Sequence, residues 1–287
     1  MAGESYGIYN IAFIGIAGSG KTHAIALFGI TLDELEKKGE VRHNVDEYKL
    51  KLHELKERLR NGEVLPPTKP EDKTMGCVIH LSFPIWGGLR RKKVMITPLD
   101  TSGELLRVVM DLLPEATTID DLIEKIKERT GITLTRKDVD DLRNFLLRAS
   151  GYIMVIDAPV LLKRDSSRVD QNLGLVRFMQ QLRKFRERAD LPPLRGLAIL
   201  LTKVDLIVDR VISNESDVGK LIQVWSPSLI PELNKVVERG GKIGYFYSWL
   251  GVEMDDKGIP YVKTIENMPE YSYNQYEKLT FWIRDTF

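Results

Sequence analysis

The chain has 287 residues, enough for one large domain or two small ones with a sizeable core. Its hydrophobic fraction of 43% and charged fraction of 29% are ordinary for a globular protein, and 42 Lys+Arg against 41 Asp+Glu leave a net charge of +1, so no global field favours nucleic acid or membrane. The single cysteine, Cys77, excludes an internal disulfide, and the four histidines (His23, His43, His53, His80) have neither metal-site spacing nor cysteine partners, so no zinc centre is expected.

From the start, Met1-Ala2-Gly3-Glu4 lacks a charged segment followed by an apolar stretch, so it is not read as a secretory signal. Ala2 stands where myristoylation needs glycine, and Arg284-Asp285-Thr286-Phe287 has no prenylation cysteine. No apolar run reaches the roughly 18 residues that a bilayer span needs. With the lone thiol, these features predict a cytoplasmic protein.

A strand is predicted over 8–14, followed by Gly15-Ile16-Ala17-Gly18-Ser19-Gly20-Lys21-Thr22 and a helix that continues towards Lys38. This completes the pattern G-x-x-x-x-G-K-[ST] in its strand–loop–helix context. Glycines let successive N–H groups turn inward on an anion, and the helix N-terminus adds its positive dipole. Gly15, Ala17, Gly18, Ser19, Gly20, Lys21 and Thr22 are therefore the expected phosphate-binding residues. Lys21 would reach the outer phosphates and the Thr22 hydroxyl would ligate Mg²⁺.

A second helix is expected on the stripe Val45, Tyr48, Leu52, Leu55 and Leu59, ending at Asn61-Gly62. Pro66-Pro67 forces extended chain after it. Strands over 76–85 and 93–99 are joined by Trp86-Gly87-Gly88-Leu89-Arg90, a hairpin signal. Pro84 cannot donate to a ladder, which puts its strand at the sheet edge, and Trp86 is the tryptophan expected to be exposed.

The next strand leads into Asp100-Thr101-Ser102-Gly103. Asp100, ending a buried strand, can hold a metal's water shell, and Gly103 leaves room for an N–H to approach a γ-phosphate. Helical pieces fill 105–150, with capping boxes at Thr118/Asp121 and Thr135/Asp138. Strands over 152–157, 197–202 and 243–249 alternate with helices over 170–189, 216–239 and 271–285. The alternation predicts an α/β fold around a mainly parallel sheet with one antiparallel edge hairpin. Thr202-Lys203-Val204-Asp205 follows the fifth of these strands. A carboxylate at Asp205 can accept from both N1–H and the exocyclic amine of guanine, while the Lys203 stem covers the base.

In order and strand context these motifs resemble the small GTPases of the Ras-like superfamily, over most of residues 8–287. The resemblance implies a three-layer P-loop fold with a six-stranded sheet, Mg²⁺-GTP binding, slow hydrolysis and two nucleotide-controlled switch segments. It implies one GTPase domain, with helical insertions near 40–65 and 105–150. It also implies a switch threonine on Mg²⁺, for which Thr68 is the candidate and Thr74 the runner-up. Thr202, Lys203 and Asp205 would then read the base, joined by Ser248 and the backbone N–H of Trp249. Lys21, Thr68, Gly103 and Glu104 would form the catalytic group, and Thr22, Thr68 and Asp100 the metal group.

Two departures stand out. Glu104 follows Gly103 where the family commonly has a water-positioning glutamine, and Ala17 stands where many members carry glycine. A nucleotide-binding scaffold without turnover and another P-loop NTPase are the alternatives. A protein effector or regulator acting on the switch segments is the expected partner. The basic clusters Arg90-Arg91-Lys92-Lys93 and Arg183, Lys184, Arg186, Arg188 read as solvated faces or as contacts with anionic lipid or an acidic partner.

Overall fold

A computed structural model describes residues 9–15, 18–47, 51–66, 75–85, 90–100, 103–112, 118–162, 166–207 and 214–287. Seven strands form the main sheet: β1 Tyr9–Gly15, β2 Arg42–Glu47, β3 Met75–Ile85, β4 Arg90–Asp100, β5 Gly151–Asp157, β6 Leu194–Thr202 and β7 Val237–Tyr247. Their spatial order is β2-β3-β4-β1-β5-β6-β7. Pairing is parallel from β4 through β7 and antiparallel at β2–β3 and β3–β4.

Strand alternation sends successive side chains into two separate cores. Ile11 and Phe13 of β1, with Ile153 and Val155 of β5, pack against α1 (Lys21–Lys37) and α10 (Tyr273–Thr286), including Phe28, Leu32, Tyr276 and Leu279. Ala12, Ile14, Tyr152, Met154 and Ile156 point the other way, into a core built with α3 (Gly103–Leu112), α4 (Ile119–Thr130), α5 (Arg136–Arg148), α6 (Ala158–Leu162), α7 (Ser166–Arg188), α8 (Glu215–Trp225) and α9 (Leu229–Val236). Each fully buried aliphatic or aromatic side chain contributes about 1.5–3 kcal/mol to holding these layers together. The expected three-layer α/β architecture is thus present.

The sheet has seven strands rather than six. The extra one is β2, where the sequence suggested the start of a helix. Val45 lies in this strand, paired with Ile79 of β3, and the second helix, α2, spans only Leu52–Arg60. The edge of β3 supplies ladder bonds that outweigh the weak strand propensity of the polar segment Arg42–Glu47. β3 is therefore not the sheet edge. Pro84 nonetheless lies past Ser82, where the β2 pairing stops, so its missing N–H interrupts no bond to β2. The turn at 86–89, including Trp86, lies outside the described residues.

The helix expected over 216–239 is two helices and the start of a strand. α8 closes at Ser226 and α9 opens after Ser228, with Pro231 tolerated in its first turn. Two small hairpins between β7 and α10 escaped the sequence: β8 Val252–Met254 with β9 Pro260–Val262, and β10 Thr264–Ile265 with β11 Met268–Pro269. Both capping predictions hold at the N-caps. Thr118 accepts from the Asp121 N–H, and Thr135 and Asp138 bond reciprocally. No helix among the described residues is long and apolar enough to cross a membrane.

Candidate functional site

Parallel pairing brings the carboxyl ends of β1, β4, β5 and β6 to one edge of the sheet, where Gly15, Asp100, Asp157 and Thr202 end their strands. That edge, outside the strand ends, is where open α/β sheets bind ligands. Asp157 and Thr202 are register partners, and Gly15 pairs with Val155.

The loop after β1 needs glycine for two separate reasons. A Cβ on Gly15 would lie 2.6 Å from Ser19 Oγ and 2.8 Å from the Val155 carbonyl oxygen. Gly18 and Gly20 have φ of 74° and 78°, the left-handed region that side chains disfavour. Through Gly20 the chain enters α1, and the Gly20 carbonyl accepts from the Ala24 N–H at 2.9 Å. The first turn of α1 carries no acidic residue, and Gly20 supplies no side-chain cap. Its leading N–H groups and the positive end of the helix dipole thus face the loop without a carboxylate of that turn to neutralise them.

Lys21 is buried, and its ammonium reaches back across the loop to the Gly15 carbonyl at 3.4 Å. Thr22 follows it, half-buried. Ser19 is 1% exposed, yet its Oγ has no hydrogen-bond partner among the described residues. A buried hydroxyl left unbonded costs about 1–3 kcal/mol, so the loop is a cradle with polar capacity to spare.

Thr202 and Lys203 bind this loop directly. Thr202 Oγ1 lies 2.7 Å from the Ser19 carbonyl oxygen and 3.0 Å from that of Ile156, so its one proton is shared between two acceptors. Lys203 adopts φ 57° and donates from Nζ to the Gly18 carbonyl at 2.7 Å. The same ammonium meets Asp157 Oδ2 at 2.5 Å. Asp157 is 5% exposed, and its other oxygen accepts from the Val160 N–H at 2.9 Å in the first turn of α6. It thus fixes Lys203 from below.

Asp205 sits exposed in a 3₁₀ turn, Val204–Leu206. Partial loss of solvation raises its carboxyl pKa above the ordinary value, against the pull of its own backbone N–H and of Lys203. Ser248 closes the same end of the sheet. Its N–H donates to the Leu201 carbonyl at 2.8 Å, its carbonyl accepts from the Val204 N–H at 3.3 Å, and its Oγ is 2.7 Å from the Tyr276 hydroxyl. The Trp249 N–H donates to Ser272 Oγ at 3.2 Å, so it reaches a ligand only by exchanging that bond.

Two residues of this region carried no motif signal. Asp157 is one. His23, next to Thr22, is the other: its Nε2 accepts from the Leu65 N–H at 3.3 Å, tying the first turn of α1 to the chain that leads towards Thr68. Burial, aided by the charge of Lys203, lowers the His23 pKa to about 4, which keeps the ring neutral and able to accept.

The structure therefore brings Gly15, Gly18, Ser19, Gly20, Lys21, Thr22, Thr202 and Lys203 together, with Asp205 and Ser248 beside them. Ala17, Thr68 and Thr74 lie outside the described residues, as do the side chains of Asp100 and Glu104. The backbone of Asp100 ends β4 opposite Met75, and Gly103 opens α3. Among the described residues no three His, Cys, Asp or Glu side chains group as a metal site. The oxygen donors proposed from the sequence, the Thr22 and Thr68 hydroxyls and the strand-end carboxylate of Asp100, are of the hard type that suits Mg²⁺.

No protein-family model matches the chain, and no curated protein does. Among solved structures, one that it resembles is the signal recognition particle receptor SRb-GTP/SRX complex from Chaetomium thermophilum, at 15% identity and TM-score 0.46, over 97% of this chain and all of that one. Another is a mutation variant of SsGBP, at 13% identity and TM-score 0.30, over 82% of this chain and 49% of that one. Both likenesses are distant.

Proposed function

We propose that the chain is a small GTPase of one domain, which binds GTP and GDP with Mg²⁺ and hydrolyses GTP slowly as a nucleotide-dependent switch. The observation that carries this reading is the bonding of Thr202 and Lys203 to the carbonyls of Ser19 and Gly18. A base-reading segment pinned to a phosphate-type loop makes one pocket out of motifs about 180 residues apart.

In this pocket the amides from Gly18 to Thr22 and the Lys21 ammonium hold the phosphates. The Asp205 carboxylate accepts two hydrogen bonds from guanine, while Lys203 covers the base. Adenine has neither an N1–H nor an amine on C2, and covering the carboxylate with it would leave the acid unpaired, at a cost of about 1–3 kcal/mol. Thr22 and Thr68 would hold Mg²⁺ and Asp100 its water shell; bound there, the ion neutralises charge on the phosphates. Gly103 senses the γ-phosphate, and Glu104 replaces the family's water-positioning group. Water attacks the γ-phosphorus, the bond to the bridging oxygen breaks, and GDP leaves with that oxygen. Catalysis rests on positioning and charge neutralisation, and a carboxylate at Glu104 beside an anionic γ-phosphate keeps the rate low. The same residue favours a second reading, a nucleotide-binding scaffold that does not turn over.

The experiment is an affinity panel of GTP, GDP, ATP and xanthine nucleotides, with and without Mg²⁺, alongside multiple-turnover phosphate release. Guanine nucleotides should bind at least tenfold more tightly than adenine ones, and Asp205→Asn should shift preference towards xanthine. Equal affinity for ATP ends the GTPase reading; tight GTP binding without phosphate release leaves the scaffold.

A further inference from the structure

The run Arg90-Arg91-Lys92-Lys93 lies in β4, and strand alternation divides it between the two faces of the sheet. Lys92 turns towards α10, where its ammonium donates to the Arg284 carbonyl in the last turn of that helix. Arg91 and Lys93 turn to the opposite face. There the register sets Ser82 beside Lys93 and Arg42 beside Ser82, making a row across three strands. Arg91 joins this row, because its Nε donates to Ser82 Oγ at 2.9 Å. The neighbouring row is Asn44, His80 and Met95.

A cleft of about 280 Å³ opens on these rows, and its lining includes Arg42, Asn44, His80, Ser82, Lys93 and Met95. Arg42, Asn44, His80 and Lys93 are exposed. Among the described residues no carboxylate pairs with Arg42, Arg91 or Lys93. Asp46, the acidic residue on the same face of β2, is held by His80 at 2.9 Å. Cations elsewhere are commonly matched, as in Lys37–Glu34, Arg58–Glu63, Arg60–Glu57 and Lys125–Asp121. In a chain of net charge +1, the three unmatched cations around Ser82 are a local surplus.

The shape and composition of the face select among anionic occupants. A bilayer surface is read best by a raised basic patch with apolar side chains to insert. Arg42 and Lys93 line a cleft with Arg91 beside it, and among the described residues the large exposed hydrophobic ones, such as Leu173, Leu206, Met254, Ile259 and Ile265, lie on other elements. Single-stranded nucleic acid wants stacking aromatics, and neither row supplies Phe, Tyr or Trp. A guanidinium oriented by Ser82, with a second guanidinium and an ammonium beside it, matches carboxylates at peptide spacing.

We propose that this face of β2, β3 and β4 docks an acidic peptide segment of a partner protein. Its carboxylates accept from Arg42, Arg91 and Lys93, while its aliphatic stems lie against Met95.

The test uses the full chain and a fluorescently labelled hexaglutamate peptide, with hexaglutamine as the neutral control, followed by anisotropy at rising salt. Hexaglutamate should bind, weaken as salt rises, and lose at least tenfold in affinity in the Arg42→Gln/Lys93→Gln variant. Lys184→Gln/Arg188→Gln, which removes the same charge from α7, should leave binding unchanged. The proposal is overturned by no binding to the unaltered protein or by an equal loss in the α7 variant. It is also overturned if Arg42→Gln/Lys93→Gln abolishes sedimentation with phosphatidylserine vesicles but leaves peptide binding intact. Should that variant fail to fold, acetylation footprinting of the unaltered protein decides: hexaglutamate should protect Lys93 more than Lys184, and equal protection overturns the assignment.

Discussion

Asp157 uses its two oxygens on two different tasks, holding Lys203 with one and capping the first turn of α6 with the other. Asparagine would keep the cap and lose the charge. Asp157→Asn should therefore weaken GDP binding about tenfold, the worth of one charge-assisted hydrogen bond, mostly through faster release. Lys203→Met should weaken it as well. The double variant should be little worse than Lys203→Met alone, because both changes break the same link. Dissociation rates of a fluorescent GDP analogue measure this, and additive losses would show that Asp157 acts through the fold rather than through Lys203. The glycine loop between β1 and α1 was legible in the sequence because a left-handed φ and a close approach to Val155 each demand glycine at a set spacing. Asp157 and His23 were not, since a strand-end carboxylate and a helix histidine acquire meaning only from the loops that fold over them.

At the scale of elements, β2 and α2 belong to α1 through one carboxylate. Asp33, on α1, receives Lys56 and Arg60 of α2 at 2.9 and 2.7 Å and faces His43 of β2 at 3.2 Å. Burial alone would raise the Asp33 pKa, but the hydrogen bonds from His43, Lys56 and Arg60 outweigh it and hold the carboxyl well below the ordinary range. A group whose folded pKa is depressed lends stability above its unfolded pKa, near 3.9 for aspartate, and loses it as pH falls towards the folded value. Asp33→Asn should thus cost about 2 kcal/mol at neutral pH, and the gap to the unaltered protein should narrow below about pH 4. Urea melts at pH 7 and pH 3 give both numbers; a gap that stays constant with pH rules out the ionised carboxylate as its source. The same network explains why the sequence misjudged this region. Val45 and Leu52 share a helical spacing, yet Arg42–Glu47 is drawn out by the β3 edge and by His43, and only Leu52–Arg60 stays helical.

Across the molecule, the alternating order of strands and helices was readable, and so was the placing of the glycine loop after β1 and of Thr202–Asp205 at one sheet edge. The far ends of the central strands were not. There Gly151 and Gly196 are register partners on β5 and β6, and α10 lays Trp282, Thr286 and Phe287 onto them. A Cβ on Gly196 would meet Thr286 Cγ2 at 2.5 Å and Phe287 Cζ at 3.0 Å, both ends of side chains. A Cβ on Gly151 would meet Phe287 Cζ at 2.3 Å and also the Gly196 carbonyl oxygen at 2.5 Å, which is backbone in the sheet itself. The two glycines therefore differ in what can yield. Each alanine variant should lose about 1–3 kcal/mol by overpacking, read from urea midpoints. Thr286→Ser, which removes the offending methyl, should recover part of the loss in Gly196→Ala. Phe287→Leu should recover little in Gly151→Ala, because the carbonyl remains in the way. If Phe287→Leu restores Gly151→Ala in full, the helix rather than the strand pair sets the limit at this end of the sheet.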